Sequence, residues 1–211
     1  MELFITFEGG EGCGKSHQSK SLYRRLLAEG ISAVLTHEPG GTALGENITK
    51  WLKWRKEMTL SATCELLLFN ASRNQLCNDV ITPAIIADKV VVCDRFYDST
   101  IAYQGYGRGL DPDIIKVINR FAADGLVPRL TILLDMPVSL GLARKSKDRQ
   151  DRFEAEKIAF HEQVRQGYLQ LARNEPQRFF VVDAALSKKA IADLIWQKVA
   201  SMLPKTKQPI I

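Results

Sequence analysis

The segment Gly9-Gly10-Glu11-Gly12-Cys13-Gly14-Lys15-Ser16 constrains this chain more than any other. It fits the pattern G-x-x-x-x-G-K-S/T, between a short apolar run, Leu3 to Phe7, and an amphipathic stretch, Lys15 to Glu29. A strand, a glycine-rich loop and a helix in that order make an anion site. The glycines let successive backbone N–H groups turn inward. The helix N-terminus adds unpaired N–H groups and the positive end of its dipole. Lys15 is expected to reach the β- and γ-phosphates, and Ser16 to offer its hydroxyl to Mg²⁺. Residues 9–16 are therefore expected to bind a nucleoside triphosphate.

The rest of the chain repeats the alternation. Ala33 to Leu35, Val90 to Cys93, Leu130 to Leu134 and Phe179 to Val182 are short apolar runs without polar alternation. Such strands are buried on both faces, as in a parallel sheet covered by helices. Between them lie amphipathic stretches: Ala62 to Cys77, Asp113 to Ala123, Arg152 to Arg173 and Lys188 to Leu203. The pattern predicts an α/β, doubly wound parallel sheet of about five strands flanked by helices. One domain is expected over residues 1–203, with a frayed tail at 204–211.

Composition narrows the class. The 211 residues are 45% hydrophobic and 25% charged, which excludes collagen-like and wholly disordered chains. The net charge of +5 suits an anionic partner without choosing one. No two of Cys13, Cys64, Cys77 and Cys93 are spaced as Cys-x-x-Cys, and three histidines are too few for a zinc array. Buried, reduced thiols in a cytoplasmic protein are expected. The apolar window Leu126 to Ala143 is broken by Arg129, Asp135 and two prolines, so no membrane span is expected. The N-terminal residues lack a basic segment followed by a long apolar one, so no secretory signal is expected. A GTP switch usually carries Asn-Lys-x-Asp, which is missing here.

Two carboxylates end apolar runs. Asp94, in Val90-Val-Val-Cys-Asp94-Arg95, stands where such folds hold Mg²⁺, and Arg95 beside it points toward a second anion; the alternative is a helix cap paired with its arginine. Asp135, before Met136-Pro137, reads as an N-cap. A third segment, Arg144 to Arg152, holds five basic and two acidic side chains over nine positions with no apolar residue. It is either a solvated connection or a short lid over 144–153. The variable positions of the phosphate loop contain no arginine, so a cation for the moving phosphoryl group must come from elsewhere. Arg149 and Arg152 are the first candidates, Arg144 the next.

The motif series Phe7 to Ser16, His37-Glu-Pro-Gly-Gly-Thr42, Leu68-Phe-Asn-Ala-Ser-Arg73, Asp94-Arg-Phe-Tyr-Asp-Ser99, Ala102-Tyr-Gln-Gly105 and Asp151-Arg-Phe-Glu154 resembles that of the bacterial thymidylate kinases. The resemblance implies transfer of the γ-phosphoryl of ATP to dTMP, giving dTDP and ADP in dTTP biosynthesis. It implies Mg²⁺ at Ser16 and Asp94, and a cytoplasmic homodimer with no nucleic-acid or membrane partner. Glu11 would face the 3′-hydroxyl of dTMP. Phe69 would stack on thymine, although a Phe after Leu66-Leu-Leu is more often core. Arg73 would bond the base, and Arg95 would hold the acceptor phosphate. Tyr103 would occupy the place of a ribose 2′-hydroxyl, and Ser99, Thr100 and Gln104 would line base and sugar. Lys15, Arg95, Arg149 and Arg152 would be the catalytic cations. The series departs at His37, where an arginine is usual, at Phe96, where a tyrosine is usual, and at His17, read as a surface residue.

Overall fold

The computed structural model describes residues 3–55, 57–145 and 150–204. Five strands, β1 (Phe4–Glu8), β2 (Ala33–His37), β3 (Val90–Asp94), β4 (Leu130–Asp135) and β5 (Phe179–Asp183), form one parallel sheet in the order β2-β3-β1-β4-β5. Every residue of β1 is buried, as are the first four of β3 and the first five of β4. These central strands have helices on both faces, which is why their sequences do not alternate. The edge strands β2 and β5 are only partly covered. Each strand runs on past its apolar run to a polar residue, Glu8, His37, Asp94, Asp135 or Asp183. The parallel ladder continues to these positions, with Phe7 level with Asp94 and Asp135 level with Asp183.

The helices are α1 (Lys15–Ala28), α2 (Ala43–Lys53), α3 (Ala62–Leu76), α4 (Thr82–Ile86), α5 (Tyr97–Thr100), α6 (Pro112–Ala122), α7 (Val138–Ala143), α8 (Ile158–Asn174) and α9 (Lys188–Ala200). Two π-helical stretches, Cys77–Ile81 and Ile101–Gly107, join α3 to α4 and extend α5. Among the described residues no helix is long and apolar enough to cross a membrane. Side chains cap several starts: Thr42 accepts from Gly45 N at 3.0 Å, and Ser61 and Ser187 do the same for α3 and α9. The expected helix from Arg152 begins six residues later. The Asp151 carboxylate accepts from Phe153 N and Glu154 N, both at 2.9 Å, and holds a turn there instead.

One core joins Ile5, Phe7, Leu22, Leu26, Ile132 and Ile195 between the sheet, α1 and α9. Another, with Leu133, Ile101, Val164 and Tyr168, lies under α8 and the second π-helical stretch. The chain leaves β1 toward β2 and β3 on one side, then returns to pair β4 on its other side. That reversal opens a crevice at the C-terminal ends of β1, β3 and β4.

A buried ion pair ties this second layer down. Arg178 reaches both Asp98 oxygens, at 2.7 and 2.8 Å, and Asp98 is fully buried. Removing one partner leaves a buried, uncompensated charge. Asp98→Ala is expected to lower the unfolding free energy in urea by about 3 kcal/mol; a loss below about 1 kcal/mol would mean that Glu175 alone compensates Arg178.

Candidate active site

The loop after β1 takes the shape its glycines allow. Gly9 and Gly12 have φ of +138° and +70°, a region that side chains disfavour. A β-carbon at Gly9 would also run into the Leu134 carbonyl, and one at Gly12 into the Gly141 carbonyl. The loop is thus clamped between the end of β4 and α7. Inside it, the buried Lys15 donates from Nζ to the Gly10 carbonyl at 2.6 Å. The Cys13 thiol donates to the same carbonyl at 2.9 Å, a structural rather than nucleophilic placement. His17 is exposed, as expected.

Asp94 meets this loop from β3. The Ser16 hydroxyl donates to Asp94 Oδ2, while Oδ1 is buried without a hydrogen-bond partner among the described residues. A hydroxyl and a carboxylate with an unused oxygen are hard donors that suit Mg²⁺ sharing its shell with phosphates. The residues present fit that ion.

Next along, Arg95 turns back over the loop, with a backbone φ of +71°. Its guanidinium donates to Glu11 Oε1 at 2.7 Å, to the Gly9 carbonyl at 3.2 Å, and to Ser99, Tyr103 and Tyr168 at 3.2–3.3 Å. The Tyr103 hydroxyl donates to Glu11 Oε1 at 2.6 Å. Burial pushes the Glu11 carboxyl up, but Arg95 and then Lys15 outweigh it and hold it well below the usual carboxylate range. Beneath, the buried Glu8 carboxylate accepts from Phe96 N at 2.7 Å, Ser99 Oγ at 2.6 Å and Tyr168 OH at 2.9 Å.

Two cavities meet at this cluster. A cleft of about 600 Å³ is lined by Lys15, Ser16, Asp94, Arg144 and Lys145. A narrower cavity is lined by Phe69, Phe153, Ser99, Thr100, Tyr103 and Gln104. Both are bounded by Glu11, Pro39, Lys53, Arg95 and Asp151. One chamber is polar and cationic, the other aromatic, and the Glu11–Arg95 pair stands between them.

Comparison with known proteins agrees with this geometry. The sequence model described as thymidylate kinase matches residues 7–195. A thymidylate kinase of Dehalococcoides mccartyi is 55% identical over 203 residues, covering 96% of this chain and 98% of that one. One from a Synechococcus strain is 47% identical, covering 96% of each. The crystal structure of thymidylate kinase from Ehrlichia chaffeensis superposes with a TM-score of 0.76 at 34% identity, covering 93% of this chain and 98% of that one. The chain belongs to the thymidylate kinase family.

In this thymidylate kinase fold most residues expected at the site converge on it, and two stand elsewhere. Arg73 does not line the aromatic cavity. It is buried behind Thr100, where it pairs with Glu38 at 2.8 Å and donates to Asn70, Thr100 and Asn119. Arg152 does not line the cationic cleft either. Its guanidinium donates to the carbonyls of Arg55 and Met58, at 2.7 and 2.8 Å, and so fastens its turn to the connection after α2. Arg149 lies outside the described residues. Among the described residues of the basic segment, Arg144 and Lys145 line the cleft. Asp135 is no helix cap. It pairs with Arg165 through two bonds of 2.8 and 2.9 Å, and α7 starts without a side-chain cap. His37 is exposed and faces Glu46 at 3.4 Å.

Sequence reasoning passed over Glu8, Lys53, Phe153 and Tyr168. Glu8 had a signal, a charged residue directly after an all-apolar run. Phe153 had one in its motif, while Lys53 and Tyr168 come from long-range packing that no local pattern encodes.

Glu8 makes stability depend on pH. Burial, and then the nearby Asp98, push its carboxyl from 4.5 up to about 7. Between those values the folded chain keeps a proton that the unfolded chain has released, so stability falls as pH rises through that window. Below it both states are protonated, and above it both are ionised. Glu8→Gln is expected to gain stability relative to the native chain from about pH 5 to about pH 7.5 in urea titrations; a gap independent of pH would contradict the assignment.

Proposed function

We propose that the chain transfers the γ-phosphoryl group of ATP to dTMP, giving dTDP and ADP for dTTP synthesis, with ATP in the cationic cleft and dTMP in the aromatic cavity. The observation that carries this reading is the meeting of the two cavities at Glu11 and Arg95.

An oxygen of the dTMP phosphate attacks the γ-phosphorus, and the bond from that phosphorus to the β–γ bridging oxygen breaks. ADP leaves with the electron pair. The attacking oxygen is already anionic near neutral pH, so no strong general base is required. The protein aligns two polyanions and offsets their charge. Lys15 and the N–H groups of residues 9–16 receive the ATP phosphates. Ser16 and Asp94 are the residues to hold Mg²⁺, which when bound would neutralise β- and γ-phosphate oxygens. Arg95 receives the acceptor phosphate, its direction set by Glu11, Ser99 and Tyr168. Arg144 and Lys145 supply the cations that the phosphate loop lacks, and Arg149 continues the same basic segment.

Selectivity follows from the second cavity. Phe69 and Phe153, with ring centroids 5.7 Å apart, offer a flat base two aromatic walls. Tyr103 is tied to Glu11 and Arg95, so its ring cannot swing aside for a 2′-hydroxyl. Glu11, which borders both cavities, would accept from the 3′-hydroxyl. The methyl of thymine is worth roughly 1–3 kcal/mol in an apolar pocket. In a panel of dTMP, dUMP, UMP, CMP, AMP and thymidine with ATP, dTMP should turn over best, with dUMP lower by about 10–200-fold. Lys15→Ala should remove at least about a hundredfold of kcat with the fold intact by circular dichroism. A better substrate than dTMP, or an unaffected Lys15→Ala enzyme, would refute the reading.

The enzyme works as a cytoplasmic homodimer. Support comes from α6, whose Ile114, Val117 and Phe121 share one face and are 58, 70 and 86% exposed. Leu67 of the adjoining α3 is also exposed. A continuous apolar strip of this kind marks an interaction surface. Light scattering should give the mass of two chains, and Phe121→Glu the mass of one; a monomeric native chain would exclude this interface.

A further inference from the structure

Gln104 lies in the π-helical stretch Ile101–Gly107, fully buried, with its side chain at the wall of the aromatic cavity. Only one end of its amide is engaged. Nε2 donates to Glu65 Oε2 at 3.3 Å, whereas Oε1 is buried and has no hydrogen-bond partner among the described residues. Glu65 is itself buried in the first turn of α3. Arg108 grips both its oxygens, Nε to Oε2 and Nη2 to Oε1, each at 3.1 Å. The remaining arm of Arg108 donates to Glu156 at 2.5 Å, and its guanidinium lies 4.7 Å from the Phe160 ring centre. Glu65 is therefore held on one side by a cation that is itself held.

An ionised carboxylate accepts hydrogen bonds and donates none. Beside Glu65 the amide of Gln104 has one favourable orientation, NH₂ toward the carboxylate. Its carbonyl oxygen is then the end left for a ligand. We propose that Glu65, locked by Arg108, is a positioning residue that makes the aromatic cavity select a pyrimidine carrying a hydrogen on N3. Thymine and uracil present an N3–H donor to that oxygen. Cytosine presents a bare ring nitrogen, so two lone pairs would oppose each other in a buried site, and such a mismatch is costly. The inference rests on the cavity being the base site.

The test compares kcat/KM for dTMP, dUMP and dCMP in the native enzyme, Glu65→Gln, Arg108→Gln and Gln104→Leu. In Glu65→Gln the neighbour can donate as well as accept, so the Gln104 amide is free to turn over. The dTMP to dCMP preference should fall by at least about tenfold, while the dTMP to dUMP preference stays within about twofold, because both bases carry N3–H. A merely structural role would depress all three substrates together and leave both ratios in place. Arg108→Gln, which keeps the Glu65 charge but releases its grip, should lower the same ratio by less, and serves if Glu65→Gln does not fold. Unchanged dTMP to dCMP ratios in whichever of these variants fold would overturn the proposal, even where Gln104→Leu raises the KM for dTMP. An unchanged KM in Gln104→Leu would instead overturn the base-site reading on which the proposal rests.

Discussion

The pair between Glu11 and Arg95, 2.7 Å apart, is the contact on which the rest of the site depends. One partner comes from the phosphate loop after β1, the other from the end of β3, and their strands are hydrogen-bonded neighbours. Through it the phosphate loop and the arginine proposed to receive the acceptor share one geometry. The pair is largely buried, so its electrostatics are stronger than at an open surface. Arg95 holds a positive φ in a non-glycine residue, a conformation that needs surrounding contacts to persist. Those contacts are the carbonyl of Gly9 and the hydroxyls of Ser99, Tyr103 and Tyr168, with Glu8 fixing those of Ser99 and Tyr168 from below.

Around this pair the protein buries an unusual amount of charge. Glu8, Glu38, Glu65, Asp98, Arg73 and Arg178 are all buried. Each carboxylate meets an arginine or several hydrogen-bond donors, which offsets the desolvation that would otherwise expel it. Such networks contribute little net stability compared with apolar packing, but they allow few arrangements. That suits a site whose substrates are polyanions: the arginines must be held in place before any phosphate arrives. Gln104 and Thr100, on the wall of the aromatic cavity, bond to buried charges of this set, Glu65 and Arg73.

Much of the fold was legible in the chain. The five apolar runs located the five strands because the central strands are covered on both faces. The phosphate loop was legible because its glycines, Lys15 and Ser16 are contiguous. The strand ends were read short, since hydropathy stops at Glu8 and Asp94 while the ladder does not. Helix α2 escaped notice because only Gly45, Ile48 and Leu52 face inward. Arg152 and Asp135 show the limit more sharply. Their residue types suggested a phosphate contact and a helix cap, but their partners, the Arg55 and Met58 carbonyls and Arg165, are set by packing between distant segments. Arg73 likewise has the motif of a base-binding arginine, and Glu38 draws it behind the cavity wall.

The central claim is that the cationic cleft and the aromatic cavity form one continuous site joined at Glu11 and Arg95. A molecule linking adenosine to thymidine through a chain of phosphates probes that continuity in a single binding measurement. By calorimetry it should bind one per chain, more tightly than either ATP or dTMP, and compete with both; competition with only one of them would mean that the two cavities do not serve one reaction.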